Sequence, residues 1–181
     1  MAILSSTKRG RVYKFTTNAV DPKAFVVLHF QAREAISTCY CYEIALVTEL
    51  PSIDLSLVLA NPGHLGIKQG VVLRDKSKRG VRTAWIHGVL ASLDETGQTM
   101  GYTTYRAVLV PRLWALSLNV QSRIFLDKSV TEIVEQVLKD HAFTKEDYEF
   151  RQARKGPKRE YVVQYQESDL NFISRLLEHE G

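Results

Sequence analysis

The chain has 181 residues, 45% hydrophobic and 24% charged, and carries a net charge of +4. That length suits one large or two small domains and buries about 70% of the unfolded surface on folding. The balance is that of an ordinary globular protein, and no apolar run of about 18 residues predicts a membrane-spanning helix.

The amino terminus, MAILSSTKRGRVYKF, has too short an apolar segment for a signal peptide. Val12 to Phe15 reads as a short first strand and Thr16 to Pro22 as a turn. Phe25 to Phe30 is a strong strand pattern, interrupted by Gln31 to Ser37. It resumes over Tyr40 to Thr48, with Tyr40, Tyr42, Ile44 and Leu46 on one face. Cys39 and Cys41 are the only cysteines. On a strand they point the same way, and a bridge between them would distort it, so two free thiols are expected. No histidine lies near them at zinc-ligand spacing.

Ile53 to Leu59 is apolar and ends at Asn61-Pro62-Gly63, which reads as a turn. Three strands follow, Gly70 to Arg74, Arg82 to Leu93 and Met100 to Val110. The expected turns between them, Lys76 to Gly80 and Asp94 to Gly97, each hold a glycine suited to positive φ. Strands this short, with polar turns, predict a small antiparallel barrel, a closure that removes exposed edges. Asn119 to Asp127 is read as a connector to a helix. Ser129 and Glu132 have capping-box spacing there, and Val130, Ile133, Val134, Val137 and Leu138 form the apolar stripe.

Arg159 to Gly181 closes the chain as strand, hinge and amphipathic helix. Tyr161, Val162, Val163 and Tyr165 have strand composition. Ser168 or Asp169 is placed to cap the next turn. Leu170, Ile173, Leu176 and Leu177 repeat at helical spacing, and Gly181 stands where helices end.

Within that closing stretch the pattern YxVQYxESDxxFxxRLLExEG is carried by Gln164, Tyr165, Glu167, Ser168, Asp169, Phe172, Arg175, Leu176, Leu177, Glu178, Glu180 and Gly181. It resembles the VgrG spike proteins of type VI secretion and the related hub proteins of contractile phage tails. Three further stretches match the same family. They are Ile36-Ser37 with Tyr40 to Ile44; Trp85 to Val89 with Tyr105, Pro111, Leu113, Trp114 and Leu116; and Arg123-Ile124-Phe125 with Ser129-Val130 and Ile133. LANPGHLGIKQG departs from the family's usual short helix or turn by its proline.

The resemblance implies an α+β fold, a mainly antiparallel barrel-like hub domain over 1–118 followed by a helix-containing segment over 119–181. The second half of the hub and a needle would lie beyond the closing motif. It implies a structural part of a contractile injection machine, without cofactor or metal. Its implied partners are two further copies in a full-length homotrimer, a hexameric tube protein, a tip protein and effectors. It further implies assembly in the cytoplasm and export through the machine without a signal peptide. The helix residues Phe172, Arg175, Leu176, Leu177 and Glu178 are the interface candidates. Arg175 has two readings, a pair on its own helix with Glu178 or Glu180, or a bidentate contact to a carboxylate of another subunit.

Catalytic signatures are lacking. Histidines 29, 64, 87, 141 and 179 are scattered, and no HExxH, GxSxG, P-loop or GxGxxG occurs. Glu167 and Asp169 are accounted for by a helix start. The alternative class is a small-barrel nucleic-acid-binding module using the basic clusters Lys8 to Lys14, Arg74 to Arg82 and Arg151 to Arg159. Tyr102 and Tyr105 beside Arg106 are its nearest approach to a stacking face, and they fall on opposite strand faces. Solvated loops are the preferred reading of the clusters.

Overall fold

The structure, a computed structural model, describes residues 13–21, 23–50, 53–59, 61–72, 79–152 and 156–181. It divides into two compact units, residues 1–112 and 113–181.

The first unit is one antiparallel sheet. Its strands are β1 (Tyr13–Thr17), β2 (Val26–Arg33), β3 (Cys41–Thr48), β4 (Pro62–Val72), β5 (Arg79–Thr99) and β6 (Tyr102–Val110), in the order β1-β4-β5-β6-β3-β2. A four-residue helix, α1 (Leu55–Val58), lies between β3 and β4, and Asp54 caps it by accepting from the Ser56 amide. Period-two alternation sends Phe15, Ile44, Leu46, Leu65, Tyr105 and Leu109 to one face, all buried in a single core. The two end strands of the hydrogen-bonded order approach each other through aromatic pairs. Tyr13 meets Phe30 edge-on at 5.2 Å, and Phe15 meets Phe25 at 5.8 Å. The sheet is thus curled into the barrel-like form that the strand spacing predicts.

Three sequence expectations change here. Asn61-Pro62-Gly63 is not a turn, because Pro62 opens β4 and pairs with Val89. Proline has no amide to give to a ladder, and the first residue of a strand tolerates that. β4 accordingly starts well before the expected Gly70; Leu73 and Arg74, and most of the Lys76 to Gly80 turn, lie outside the described residues.

Asp94 to Gly97 is not a turn either. β5 continues through it with a register shift between Glu95 and Gly97, and the Thr104 hydroxyl donates to the Gly97 carbonyl at 3.0 Å. The reversal is Met100-Gly101, between the pair Thr99 and Tyr102, with φ of 49° and 83°. Two positive φ values in a two-residue loop match the right-handed twist of the flanking strands. The glycine at 97 marks a bulge instead.

Gly88 has a different reason to be glycine. A Cβ built there would sit 2.3 Å from the carbonyl oxygen of Val110, a close approach of backbone to backbone that no side chain allows.

In the second unit a 3-10 turn (Arg112–Leu118) leads to β7 (Val120–Lys128), then α2 (Val130–Asp140), β8 (Arg159–Ser168) and α3 (Asp169–Glu180). Asn119 to Asp127, expected as a connector, is therefore mostly strand, and β7 pairs with β8 in a separate antiparallel ribbon. Ser129 makes the predicted capping box, its side chain accepting from the Glu132 amide while Glu132 accepts from the Ser129 amide. The stripe Val130, Ile133, Val134, Val137 and Leu138 is buried as predicted. It joins Leu116, Phe125, Val162, Phe172, Ile173 and Leu176 in a second core, where Phe125 stacks on Phe172 at 5.5 Å. Trp114 is half-buried and is not among the buried residues of either core.

Candidate assembly surface

The polar positions of the closing motif do structural work. Ser168 is the N-cap of α3, its hydroxyl accepting from the Asn171 amide at 3.2 Å. Asp169, wholly buried, receives four side chains. The Arg123 guanidinium and Gln164 Nε2 donate to its Oδ1, the latter at 2.8 Å. Asn119 Nδ2 lies at 2.7 Å from its Oδ2, and His141 Nε2 at 2.8 Å. Buried Gln164 also accepts from Arg123 Nε at 3.0 Å, and Arg123 reaches Asp140 at 2.9 Å. This knot ties the entry to β7, the end of α2, β8 and the start of α3. A carboxylate so deep is tolerable only because every lone pair is used. Burial alone would raise its pKa; the bonds from Gln164, His141 and Asn119, with the Arg123 charge, hold it below the usual carboxylate value.

Within the chain Arg175 reaches across to β8 rather than along its own helix. Its guanidinium grips Glu167 at the end of β8 through Nε at 3.0 Å and Nη2 at 2.6 Å, and donates to the Val163 carbonyl at 2.7 Å. It also lies over the Phe172 ring, 5.1 Å from the centroid. Phe172 and Leu176 are buried in the unit's own core, whereas Leu177 and Glu178 are exposed. Among the described residues Glu178 has no ion pair. The five candidates therefore split between the helix's inner and outer faces.

The residues the sequence reading passed over lie on the ribbon's outer face. Val162 and Gln164 point inward, so Tyr161, Val163 and Tyr165 point out. On β7, Ile124 stands opposite Val163 and Leu126 opposite Tyr161. Cross-strand partners share a face, which makes Ile124, Leu126, Tyr161, Val163 and Tyr165 one apolar patch, each residue between 41% and 70% exposed. Next to Tyr165 the register shifts, two β8 residues standing against Ser122, whose hydroxyl accepts from the Gln166 amide. Contiguous exposed apolar surface of this kind marks interaction sites.

The phage tail baseplate hub (GPD) family model matches residues 33–181. The chain belongs to that family. Among hub relatives, the type VI secretion system spike protein VgrG5 of Pseudomonas aeruginosa is 39% identical over 158 residues, 87% of this chain and 18% of that protein. The spike protein VgrG1b of the same organism is 30% identical over the whole chain and 22% of its own length. The chain thus spans about a fifth of these relatives. Among solved hub structures, the E. coli c3393 protein, described as a type VI secretion component similar to the T4 tail proteins gp27 and gp5, superposes with a TM-score of 0.78 at 28% identity. That match covers 93% of this chain and 43% of the other. The 43 kDa tail protein of prophage MuSo2 from Shewanella oneidensis shares the fold at a TM-score of 0.57, with 10% identity over 92% of this chain and 47% of that one.

The nucleic-acid reading gains no support. Tyr105 is in the barrel core, and Arg106 faces the Asp94 carboxylate at 3.6 Å. Residues 8–12, 74–78 and 153–155 of the basic clusters lie outside the described residues.

Proposed function

We propose that this chain is the hub portion of a VgrG-like type VI secretion spike. It is a structural, non-enzymatic element of a trimer that sits on a hexameric tube and helps carry effectors. In this reading 1–118 supplies barrel wall and 119–181 leads into the rest of the hub. The spike is built in the cytoplasm and leaves through the machine. The observation that carries the reading is the bare apolar face of the β7–β8 ribbon in a chain of the hub family. A surface of paired aliphatic and tyrosine side chains is suited to burial against another protein rather than to catalysis. Leu177 and Glu178, on the outer side of α3, are the helix residues left to contribute to such contacts. Phe172, Leu176 and Arg175 act by fixing the helix on which they stand.

Light scattering on the longest chain the gene encodes tests this reading. A trimer whose mass is independent of concentration is expected, and a stable monomer would overturn it.

A further inference from the structure

Two of the histidines that look scattered in the sequence are cross-strand neighbours. His64 on β4 pairs in register with His87 on β5, their ring centroids 4.8 Å apart. Their Nδ1 atoms face each other at 2.9 Å. The rings stand on the face of the sheet opposite buried Leu65, and His87 is open to solvent. The strand carrying His87 is fixed locally, because the Tyr40 hydroxyl donates to the His87 carbonyl. β4 is itself held on its other side by β1, where Thr16 stands opposite His64.

At 2.9 Å one ring in its Nδ1–H tautomer donates an ordinary hydrogen bond to the other. If both rings carry their proton on Nε2, two lone pairs collide, and only a proton or a cation can satisfy both. Metal–imidazole bonds run to about 2.0–2.1 Å. Two such bonds at a right angle put their nitrogens about 2.9 Å apart, against roughly 3.4 Å in a tetrahedron. The observed separation matches the right-angle case, the geometry of tetragonal and octahedral ions.

We propose that His64 and His87 form a two-imidazole site for a divalent transition metal of tetragonal or octahedral preference, such as Ni²⁺ or Cu²⁺. Each ring supplies Nδ1 in cis positions. Among the described residues no group of three His, Cys, Asp or Glu side chains converges on a metal, so water completes the coordination. The site clips β4 to β5 across the outside of the barrel wall and is independent of the ribbon face in the second unit.

Trp85 supplies the reporter. It lies two residues before His87 on the same face, with its ring over Gly66. Ni²⁺ is the probe of choice, since it does not oxidise Cys39 and Cys41. Titrated at pH 7.5, the protein should show saturable quenching and calorimetric binding of one Ni²⁺ below about 1 mM. Bound metal should raise the thermal midpoint by linkage. His64→Asn and His87→Asn should each weaken binding about tenfold or more while their metal-free unfolding midpoints stay close to the parent's. His29→Asn and the Cys39→Ser/Cys41→Ser pair should bind as the parent does. Parent-like binding in both histidine variants, loss of binding in the cysteine variant, or no saturation at all would each overturn the site.

Discussion

Inside the first unit, β3 and β6 send Ile44, Leu46, Ala107 and Leu109 to one shared core, while the other side mixes Glu43, Thr104 and Arg106 with Ala45, Val47 and Val108. The ribbon of the second unit divides its residues differently. Phe125 and Val162 cover α2 and α3 from within, yet Ile124, Leu126, Tyr161 and Val163 outside are no less apolar. A sheet whose outer face mixes polar and apolar side chains can stand once it has curled on itself; a ribbon with exposed aliphatic and tyrosine side chains outside as well has been composed for two burials. The polar side chains differ too. Buried polar groups in the barrel are threonines, Thr17, Thr48 and Thr103, whereas the second unit buries a carboxylate and an amide, Asp169 and Gln164. The barrel is held by packing, and the second unit by packing around a charged knot.

That contrast is broken most directly at Asp169. Asp169→Ala removes the buried acceptor shared by Arg123, Gln164, Asn119 and His141, leaving Arg123 with Gln164 and the more exposed Asp140, and Gln164 with the Glu167 carbonyl. Removing one partner of such a pair costs about 3–5 kcal/mol, read as a fall in the urea midpoint. The same knot gives the second unit an acid sensitivity that the barrel lacks a reason to share. The Asp169 pKa is lowered on folding, so the native state binds its proton less readily than the unfolded chain. Its contribution is complete above the unfolded carboxylate value of about 3.9 and declines as pH falls from there toward the folded value. Unfolding midpoints between pH 7 and pH 3 should drop more steeply in the parent than in Asp169→Asn. Parallel profiles would show that the knot is not where acid acts.

Gly88 tests the barrel's side. Gly88→Ala drives a methyl group against the Val110 carbonyl, and the strands must part to admit it. Overpacking of this order costs roughly 1–3 kcal/mol. Trp114→Ala, at a half-buried position outside both cores, should cost well under the roughly 3–5 kcal/mol of a buried aromatic. A large loss at Trp114 with none at Gly88 would overturn both of these readings.

How much of this was legible in the sequence depends on how local the signal is. The capping box at Ser129, the stripe of α2 and the strand-cap-helix of the closing motif are each written within one contiguous stretch of at most about two dozen residues, and each is found in the structure. β7 is hidden in the sequence because its outward positions, Val120, Ser122, Ile124 and Leu126, mix apolar and polar side chains, so no polar–apolar alternation marks it as a strand. The turn was misplaced because a glycine at a bulge and a glycine at a reversal look alike until the partner strand is known. The knot and the histidine pair are less legible still. Asn119, Arg123, His141, Gln164 and Asp169 come from separate stretches, and His64 meets His87 only through the β4–β5 register. The QYxESD stretch holds Gln164, Ser168 and Asp169, whose parts in the knot and the cap no local pattern spells out.

Arg175→Ala is the next smaller perturbation. The clamp on Glu167 is bidentate but open to solvent, and exposed pairs contribute up to about 1 kcal/mol. Arg175→Lys should recover little of that loss, because a single ammonium cannot match both carboxylate oxygens and the Val163 carbonyl at once. Full rescue by lysine would mean that charge alone, not the fork, orients α3.

The smallest effect on stability carries the most information about assembly. Leu126 and Tyr161 face each other on the outside of the ribbon, away from the core that Phe125 and Val162 fill. Leu126→Ser with Tyr161→Ser should therefore move the unfolding free energy of a solitary chain by no more than about 0.5 kcal/mol per site. Against a partner the same two changes strip the centre of the patch, and association should weaken by far more than stability does. Sedimentation of the longest chain, parent and double variant together, separates the two cases. If the variant unfolds like the parent but no longer forms the trimer, the outer face is an interface and the ribbon's second burial is made between chains. If the trimer persists, that face is covered within one chain or remains open. If stability falls with association, the face is being buried inside the unit, and the contrast between the two sheets disappears.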